Sequence, residues 1–165
     1  MTTPAAQELL MRALKLAMRA HEQQQDKQGK PYFLHVMRVV LSDRLADDID
    51  RTIAALHDVV EDTRNSDGQI SFTLLYDAGF PKEVVHTVAL LTRAVGESYD
   101  KYMGHMIDQG CIRAMRVKLA DFDDHFRGIH DLKPADRKRL MPRYIKWRDL
   151  VEQELQRYEP VPTFS

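Results

Sequence analysis

The chain has 165 residues, of which 44% are hydrophobic and 30% are charged, with a formal net charge of -1 and a single cysteine, Cys111. This composition is typical of one globular domain with a sizeable core, and it excludes an internal disulfide and a cysteine-based zinc site. A nearly neutral chain has no overall positive field that would attract nucleic acid or an anionic membrane. No apolar run approaches the ~20 residues of a membrane span. Because the first four residues also lack the features of a signal peptide, we expect a cytoplasmic protein.

Apolar residues recur at helical spacing through most of the chain, and no alternating segment is long enough for a strand. Thr3 and Pro4 are a typical helix start. A polar stretch over residues 22–30 and a turn at 67–68 interrupt the pattern. The predicted helices cover residues 3–21, 31–41, 48–66, 71–79, 81–91, 99–107, 111–127 and 134–158. We therefore predict a single all-α domain over residues 1–158, followed by a C-terminal tail over residues 159–165.

One predicted helix carries four groups that can bind metal or move protons: His57, Asp58, Glu61 and Asp62. On a continuous α-helix, His57 would lie over Glu61, and Asp58 would lie over Asp62. Half-burying an imidazole and three carboxylates costs free energy unless a cation faces them. The segment is therefore a candidate metal site.

Two further segments supply ligands of the kind that transition metals bind. His35 lies between apolar residues of the second helix, and Asp121 lies late in a helix, where an unpaired carboxylate would be costly. With His57 and Asp58 they make a set of two imidazoles and two carboxylates. Such a set suits Mn, Fe or Zn and leaves positions for water and substrate.

Several motifs, in the same order along the chain, resemble those of the HD-domain hydrolases: Lys27-Gln28-Gly29-Lys30-Pro31-Tyr32, His35, His57-Asp58-Val59-Val60-Glu61-Asp62-Thr63 and Lys118-Leu119-Ala120-Asp121. More narrowly, residues 13–127 are similar to the RelA/SpoT-type alarmone hydrolase domain and its small single-domain relatives. The resemblance implies an HD-type helical bundle that hydrolyses the 3′-pyrophosphate of guanosine tetra- and pentaphosphate (ppGpp and pppGpp).

The same resemblance implies roles for individual residues. One Mn(II) ion would be held by His35, His57, Asp58 and Asp121. Glu61 and Asp62 would be the catalytic pair, in which Glu61 orients a metal-activated water and accepts its proton while Asp62 assists.

Substrate contacts are expected from the loop before the second helix. Lys27 is the best candidate for holding a phosphate as a point charge, and Tyr32 is predicted to form a wall of the nucleotide pocket. Lys118 is a weaker candidate, because a lysine beside a helical aspartate is usually a solvated partner.

Three positions differ from the pattern of the alarmone hydrolases. Those enzymes usually have an Arg that packs on the guanine where this chain has Asp26. They usually have an Asn near the ribose where this chain has His125, and commonly a Thr where it has Gly128. We expect His125 to contact the substrate, and a role as an added metal ligand is the alternative. Metal-dependent phosphohydrolysis is thus better supported than the identity of the substrate.

The leading hypothesis is a Mn(II)-dependent ppGpp hydrolase, whose partner is a small nucleotide rather than nucleic acid or a membrane. One alternative is an HD-domain hydrolase of another nucleotide or phosphoester, and a second is a nucleotide-binding module without catalysis. No synthetase segment follows the predicted hydrolase helices, so alarmone synthesis is not expected. The exposed side of the last helix leaves a homo-oligomer open.

Other ionisable residues are predicted to be structural. His21 ends the first helix, where a cation suits the helix dipole. Asp123 and Asp124 are expected to face water. The last helix has a basic side that is expected to be solvated, formed by Arg137, Lys138, Arg139, Arg143, Lys146 and Arg148.

Overall fold

A computed structural model describes residues 3–159, which fold into nine α-helices and one short 3₁₀ turn. The helices are α1 (Pro4–Ala20), α2 (Phe33–Val40), α3 (Asp48–Leu56), α4 (Val59–Asp62), α5 (Phe72–Asp77), α6 (Lys82–Leu91), α7 (Tyr99–Asp108), α8 (Ile112–Gly128) and α9 (Pro134–Tyr158), with the 3₁₀ turn (Ile129–Asp131) before α9. These residues contain no strand, only an isolated bridge between Gln25 and Pro31. The predicted all-α class is confirmed.

Two further predictions concern the C-terminal tail and the membrane. Of the predicted tail, only Glu159 lies among the described residues, so the rest of that prediction lies outside them. Within residues 3–159, no helix is both long enough and apolar enough to cross a membrane.

The starts of two helices follow from the side chains that precede them. Thr3 accepts a hydrogen bond from the backbone N–H of Ala6 at 3.2 Å, and Ser71 accepts one from that of Leu74 at 3.1 Å. Each cap satisfies an N–H group that has no partner within its own helix. Gly79 has a φ of +78° just after α5, a left-handed conformation that glycine adopts without steric cost.

The predicted helix through His57 is wrong in its middle. α3 ends at Leu56 and α4 begins at Val59, so His57 and Asp58 lie in a break between them. The Nδ1–H group of His57 donates to the carbonyl of Ala54 at 2.7 Å. It thereby competes for the acceptor that the backbone N–H of Asp58 would use in a continuing helix. Because adjacent residues of a continuous helix point about 100° apart, the break allows both side chains to face one site.

The core fixes the three elements that carry the predicted metal ligands. α2, α3 and α8 pack against one another, while α1 covers α3 and α9 runs along α8. Fully buried side chains fill the space between the helices, among them Ile53, Leu56, Leu75, Met103, Met115, Leu119 and Phe122. The relative positions of α2, the α3–α4 break and α8 are therefore set by apolar packing.

Two neighbouring leucines of α5 test this packing. Leu75 is fully buried and Leu74 is 40% exposed. We expect Leu75→Ala to lower the free energy of unfolding by about 2–5 kcal/mol, because it removes buried methyl groups and leaves a cavity. Leu74→Ala should change it by about 0.5 kcal/mol or less. Urea denaturation of the metal-free variants checks both values, and equal losses would contradict the packing described.

Candidate metal centre and active-site pocket

The four predicted metal ligands come together between α2, the α3–α4 break and α8. Nε2 of His35 lies 3.4 Å from Oδ1 of Asp121 and 3.9 Å from Oδ2 of Asp58. Nε2 of His57 lies 2.9 Å from Oδ2 of Asp58 and 4.0 Å from Oδ1 of Asp121. Side chains from three separate segments of the chain therefore direct their ligand atoms at one point.

Several of these ligand atoms are buried without a hydrogen-bond partner. Among residues 3–159, five buried side-chain nitrogen or oxygen atoms lack one, and three of them are Nε2 of His35, Nε2 of His57 and Oδ1 of Asp121. An unsatisfied buried polar atom costs about 1–3 kcal/mol, and a cation bound among these three would satisfy them all. Two imidazoles and two carboxylates thus fit a divalent transition-metal ion.

Hydrogen bonds on the far side of each imidazole determine where its lone pair points. Nδ1 of His35 lies 2.7 Å from Oδ2 of Asp124, and Nδ1 of His57 lies 2.7 Å from the carbonyl oxygen of Ala54. Because both oxygens only accept, each Nδ1 carries the hydrogen and donates it. Each Nε2 is therefore the ring nitrogen that faces the carboxylates, and it can bind a metal ion that displaces any proton held there.

The prediction that Asp123 and Asp124 face water is wrong. Asp124 is buried and accepts from Nε of Arg38 at 2.6 Å in addition to His35. Burial raises the pKa of Asp124, but the contacts with His35 and Arg38 outweigh this effect and bring the pKa down to about 2. Asp123 is half-buried between Arg44 at 2.8 Å and Arg148 at 2.9 Å. Helical spacing placed both residues near Asp121 but gave no sign of the arginines that enclose them.

The electrostatic surroundings of the cluster favour a cation. Burial lowers the pKa of His35, but Asp121, Asp124 and Asp58 raise it to about 10. The same carboxylates that favour a proton on this imidazole also favour a metal ion beside it. The negative charge of these carboxylates therefore favours a cation at the point where the ligand atoms meet.

Lys118 is not the solvated partner that the sequence predicts. Its Nζ donates to Oδ2 of Asp121 at 2.9 Å and lies over the rings of Tyr102 and Phe122. Burial opposes ionisation of Asp121, but the ammonium of Lys118 outweighs it and holds the pKa of that carboxyl well below its usual range. Lys118 therefore keeps Asp121 ionised while leaving its Oδ1 directed at the centre.

Tyr32, Glu61 and Asp62 lie at the rim of the centre. The hydroxyl of Tyr32 donates to Oδ2 of Asp58 at 2.5 Å, so Tyr32 contacts a predicted ligand as well as lining the pocket. Oε2 of Glu61 accepts from the backbone N–H of Arg93 at 2.9 Å, which fixes that carboxylate. Glu61 and Asp62 line the same pocket as Asp58.

Asp62 is held by a chain of hydrogen bonds that reaches the end of α1. Its Oδ2 accepts from Nε2 of Gln24 at 2.8 Å, and Nδ1 of His21 lies 2.7 Å from Oε1 of Gln24. Burial lowers the pKa of His21, which disfavours the cation that would suit the helix dipole there. Burial and the nearby charge of Asp58 raise the pKa of Asp62 from 3.8 to about 6.

Two adjoining pockets open onto the centre, with volumes of about 360 and 260 Å³. Both are lined by Lys27, Tyr32, His125, Leu140 and Tyr144. The smaller pocket is also lined by Asp58, Glu61, Asp62 and Asp121. Its cationic side chains are Lys27, Arg93, Lys118, Arg139 and Arg143. Negative and positive groups therefore lie side by side, an arrangement suited to a metal ion next to phosphate oxygens.

The basic side of α9 is only partly the solvated face that the sequence predicts. Arg139 and Arg143 line the smaller pocket together with Leu140 and Tyr144. Arg139 lies one helical turn before Arg143, and Leu140 lies one turn before Tyr144. The four residues therefore share a face of α9. That spacing of arginines beside apolar residues was a signal in the sequence from which these two functional candidates could have been found.

Asp26 shapes the loop that carries Lys27. Its Oδ1 accepts from the backbone N–H of Gln28 at 2.8 Å and from that of Lys30 at 3.0 Å, while Gly29 adopts a φ of +78°. The carboxylate therefore stabilises a tight turn in this loop. The position that resembles the base-packing Arg of the alarmone hydrolases thus supplies no cation to the larger pocket.

A pair of adjacent aspartates tests the support of the metal centre. Asp124→Asn keeps the shape of the side chain but removes the charge that orients His35. We expect the affinity for Mn(II) to fall by about 10–100-fold, as for other groups that orient a metal-bound histidine. Asp123→Asn, which affects only the contacts with Arg44 and Arg148, should leave it unchanged. Calorimetric metal titration measures both, and equal effects would contradict the role of Asp124.

The raised pKa of Asp62 predicts a pH dependence of stability in the metal-free protein. Because the native state binds this proton more tightly than the unfolded state, the associated stabilisation is present below pH 3.8 and is lost as the pH rises through about 6. Asp62→Asn avoids that loss, so its melting temperature should exceed that of the wild type at pH 7.5. At pH 3.5 the two melting temperatures should agree, and a constant difference across both pH values would contradict the assignment.

Comparisons with known proteins identify relatives. A probable guanosine-3′,5′-bis(diphosphate) 3′-pyrophosphohydrolase of Synechocystis is 31% identical over 149 residues, which cover 84% of this chain and 19% of that protein. The bifunctional (p)ppGpp synthase/hydrolase SpoT of Escherichia coli is 30% identical over 141 residues, which cover 79% of this chain and 19% of that protein. The chain therefore spans about a fifth of the length of these curated relatives. No protein-family model matches the chain.

A solved structure extends the similarity to three dimensions. It is described as a metazoan ortholog of SpoT that hydrolyzes ppGpp and plays a role in starvation responses. It is 26% identical and superposes with a TM-score of 0.69, covering 94% of this chain and 89% of that chain. The resemblance drawn from the sequence is thus confirmed: over most of its length the chain is similar in sequence and in structure to proteins named as ppGpp hydrolases of the SpoT type.

Proposed function

We propose that this chain is a metal-dependent phosphohydrolase that removes the 3′-pyrophosphate of ppGpp and pppGpp, with Mn(II) as its metal. The observation that carries the proposal is the convergence of ligand atoms from three buried residues (His35, His57 and Asp121) and from the partly exposed Asp58, beside a pocket lined by cations. The choice of ppGpp is supported by the names of the relatives.

The four convergent residues would hold the metal. When bound there, a divalent ion lowers the pKa of a water ligand and neutralises charge that develops on phosphoryl oxygens. Tyr32 and Asp124 position two of the protein ligands, since Tyr32 donates to Asp58 and Asp124 accepts from His35. This support keeps the ligand atoms in place without rearrangement during the reaction.

Glu61 and Asp62 are the proposed catalytic pair. The backbone N–H of Arg93 holds one oxygen of Glu61, and this contact leaves the carboxylate oriented along the wall of the smaller pocket. Glu61 would accept the proton of the attacking water. Asp62, held by Gln24, would assist by orienting that water or by passing the proton on.

The two pockets offer separate places for the parts of a nucleotide. The smaller pocket would bind the phosphates through Lys27, assisted by Arg139 and Arg143 on the neighbouring helix. The larger pocket, with Tyr32 and Tyr144 in its wall, would take the nucleoside. Tyr32 and Lys27 line both pockets, so they would contact the substrate where its two parts join.

One observation favours a second candidate, a phosphohydrolase of another nucleotide. Asp26 accepts two backbone N–H groups within its own loop, so it does not replace the Arg that would pack on guanine. The base would then be held by different contacts from those that the resemblance implies. The same metal centre and catalytic pair would serve either substrate.

The decisive test is pyrophosphate release from ppGpp by the metal-stripped protein, with and without added Mn(II), beside a panel of ordinary nucleotides. We expect hydrolysis of ppGpp only when Mn(II) is present. Glu61→Gln should bind Mn(II) normally but lower kcat by about 10²–10⁴-fold, because it removes the proposed general base.

Two other outcomes would change the assignment. Mn-dependent hydrolysis of a different nucleotide, with ppGpp untouched, would establish the second candidate. Binding of ppGpp without hydrolysis of any nucleotide would contradict an enzyme and support a nucleotide-binding module.

A further inference from the structure

We propose that His125 is a fifth protein ligand of the metal, an inference that rests on the proposed function and deepens it. Nε2 of His125 lies 3.0 Å from Oδ1 of Asp121, the same oxygen that Nε2 of His35 approaches at 3.4 Å. The ligand atoms of His35, Asp121 and His125 all lie within 4.8 Å of one another. His125 thus takes part in the cluster rather than lying beyond it.

The geometry points to one ion rather than two. A second group of ligand atoms, from His35, His57 and Asp58, also lies within 4.8 Å, and both groups contain His35. Nδ1 of His35 is engaged by Asp124, so the ring has one lone pair left, at Nε2. Because one imidazole lone pair binds one ion, all five residues would surround the same metal.

The ring of His125 is held in the orientation that a ligand needs. It stacks on His35 with centroids 5.0 Å apart and planes 17° apart, and on Tyr144 with centroids 5.0 Å apart and planes 13° apart. His125 also lies one turn of α8 after Asp121, which places the two side chains on the same face. Rotation of the ring is therefore limited by its neighbours on both sides.

A simple hydrogen bond to Asp121 does not account for this position. Oδ1 of Asp121 is buried and has no hydrogen-bond partner, even though Nε2 of His125 is only 3.0 Å away. The two atoms are thus close but not aligned as donor and acceptor. A bound cation would draw both atoms as ligands and would satisfy the carboxylate oxygen.

The test compares the wild type with His125→Asn, which introduces the residue that the alarmone hydrolases usually have. His130→Asn is the matched control, since it changes a histidine in the 3₁₀ turn outside the cluster. Metal-stripped full-length proteins are titrated with Mn(II), and X-ray absorption of the loaded proteins counts the imidazole ligands. We expect one ion and three imidazoles in the wild type and in His130→Asn.

In His125→Asn we expect two imidazoles and an affinity at least about tenfold weaker, since even outer groups that orient a ligand contribute about 10–100-fold. Two imidazoles in the wild type would overturn the inference, whatever the affinity of the variant, because His125 would then act only by positioning. A wild type that binds no ion would instead overturn the proposed function itself.

Discussion

The structure depends on the placement of polar atoms where water does not reach them. Nε2 of His35, Nε2 of His57 and Oδ1 of Asp121 meet in the interior without hydrogen-bond partners, at a cost that the apolar core must offset. The mutual packing of α2, α3 and α8 holds the three side chains in this position. Such local instability is typical of functional sites, where a fold tolerates atoms that only a ligand satisfies.

Three of the predicted ligands are supported by a further side chain, and His57 is held by the backbone carbonyl of Ala54. Asp124 orients His35, Tyr32 contacts Asp58, and Lys118 engages the oxygen of Asp121 that faces away from the centre. The hydroxyl of Tyr32 and the ammonium of Lys118 offset part of the negative charge of the two carboxylates. The ligand atoms that face the centre remain available to a metal ion. The acidic centre then borders a pocket lined by cations, so a metal and an anionic substrate would meet at the boundary between the two.

The sequence was sufficient to predict the fold class, because helical periodicity depends on local spacing. The resemblance to the HD-domain hydrolases, rather than spacing, implied which ligands converge. Prediction from the sequence failed where a side chain competes with the backbone, as at the break before Asp58, since propensity alone would continue the helix. It also failed for Asp124, whose partners come from a distant segment of the chain. Pairing across elements, such as that of Asp124 with Arg38, has no local signature in a single sequence.

We propose that one metal ion occupies the point where these side chains meet. Anomalous diffraction from crystals of the Mn-loaded protein, recorded on both sides of the manganese absorption edge, locates such an ion directly. We expect a single strong peak among His35, His57, Asp58 and Asp121. A peak elsewhere, or none when the solution contains excess Mn(II), would contradict it.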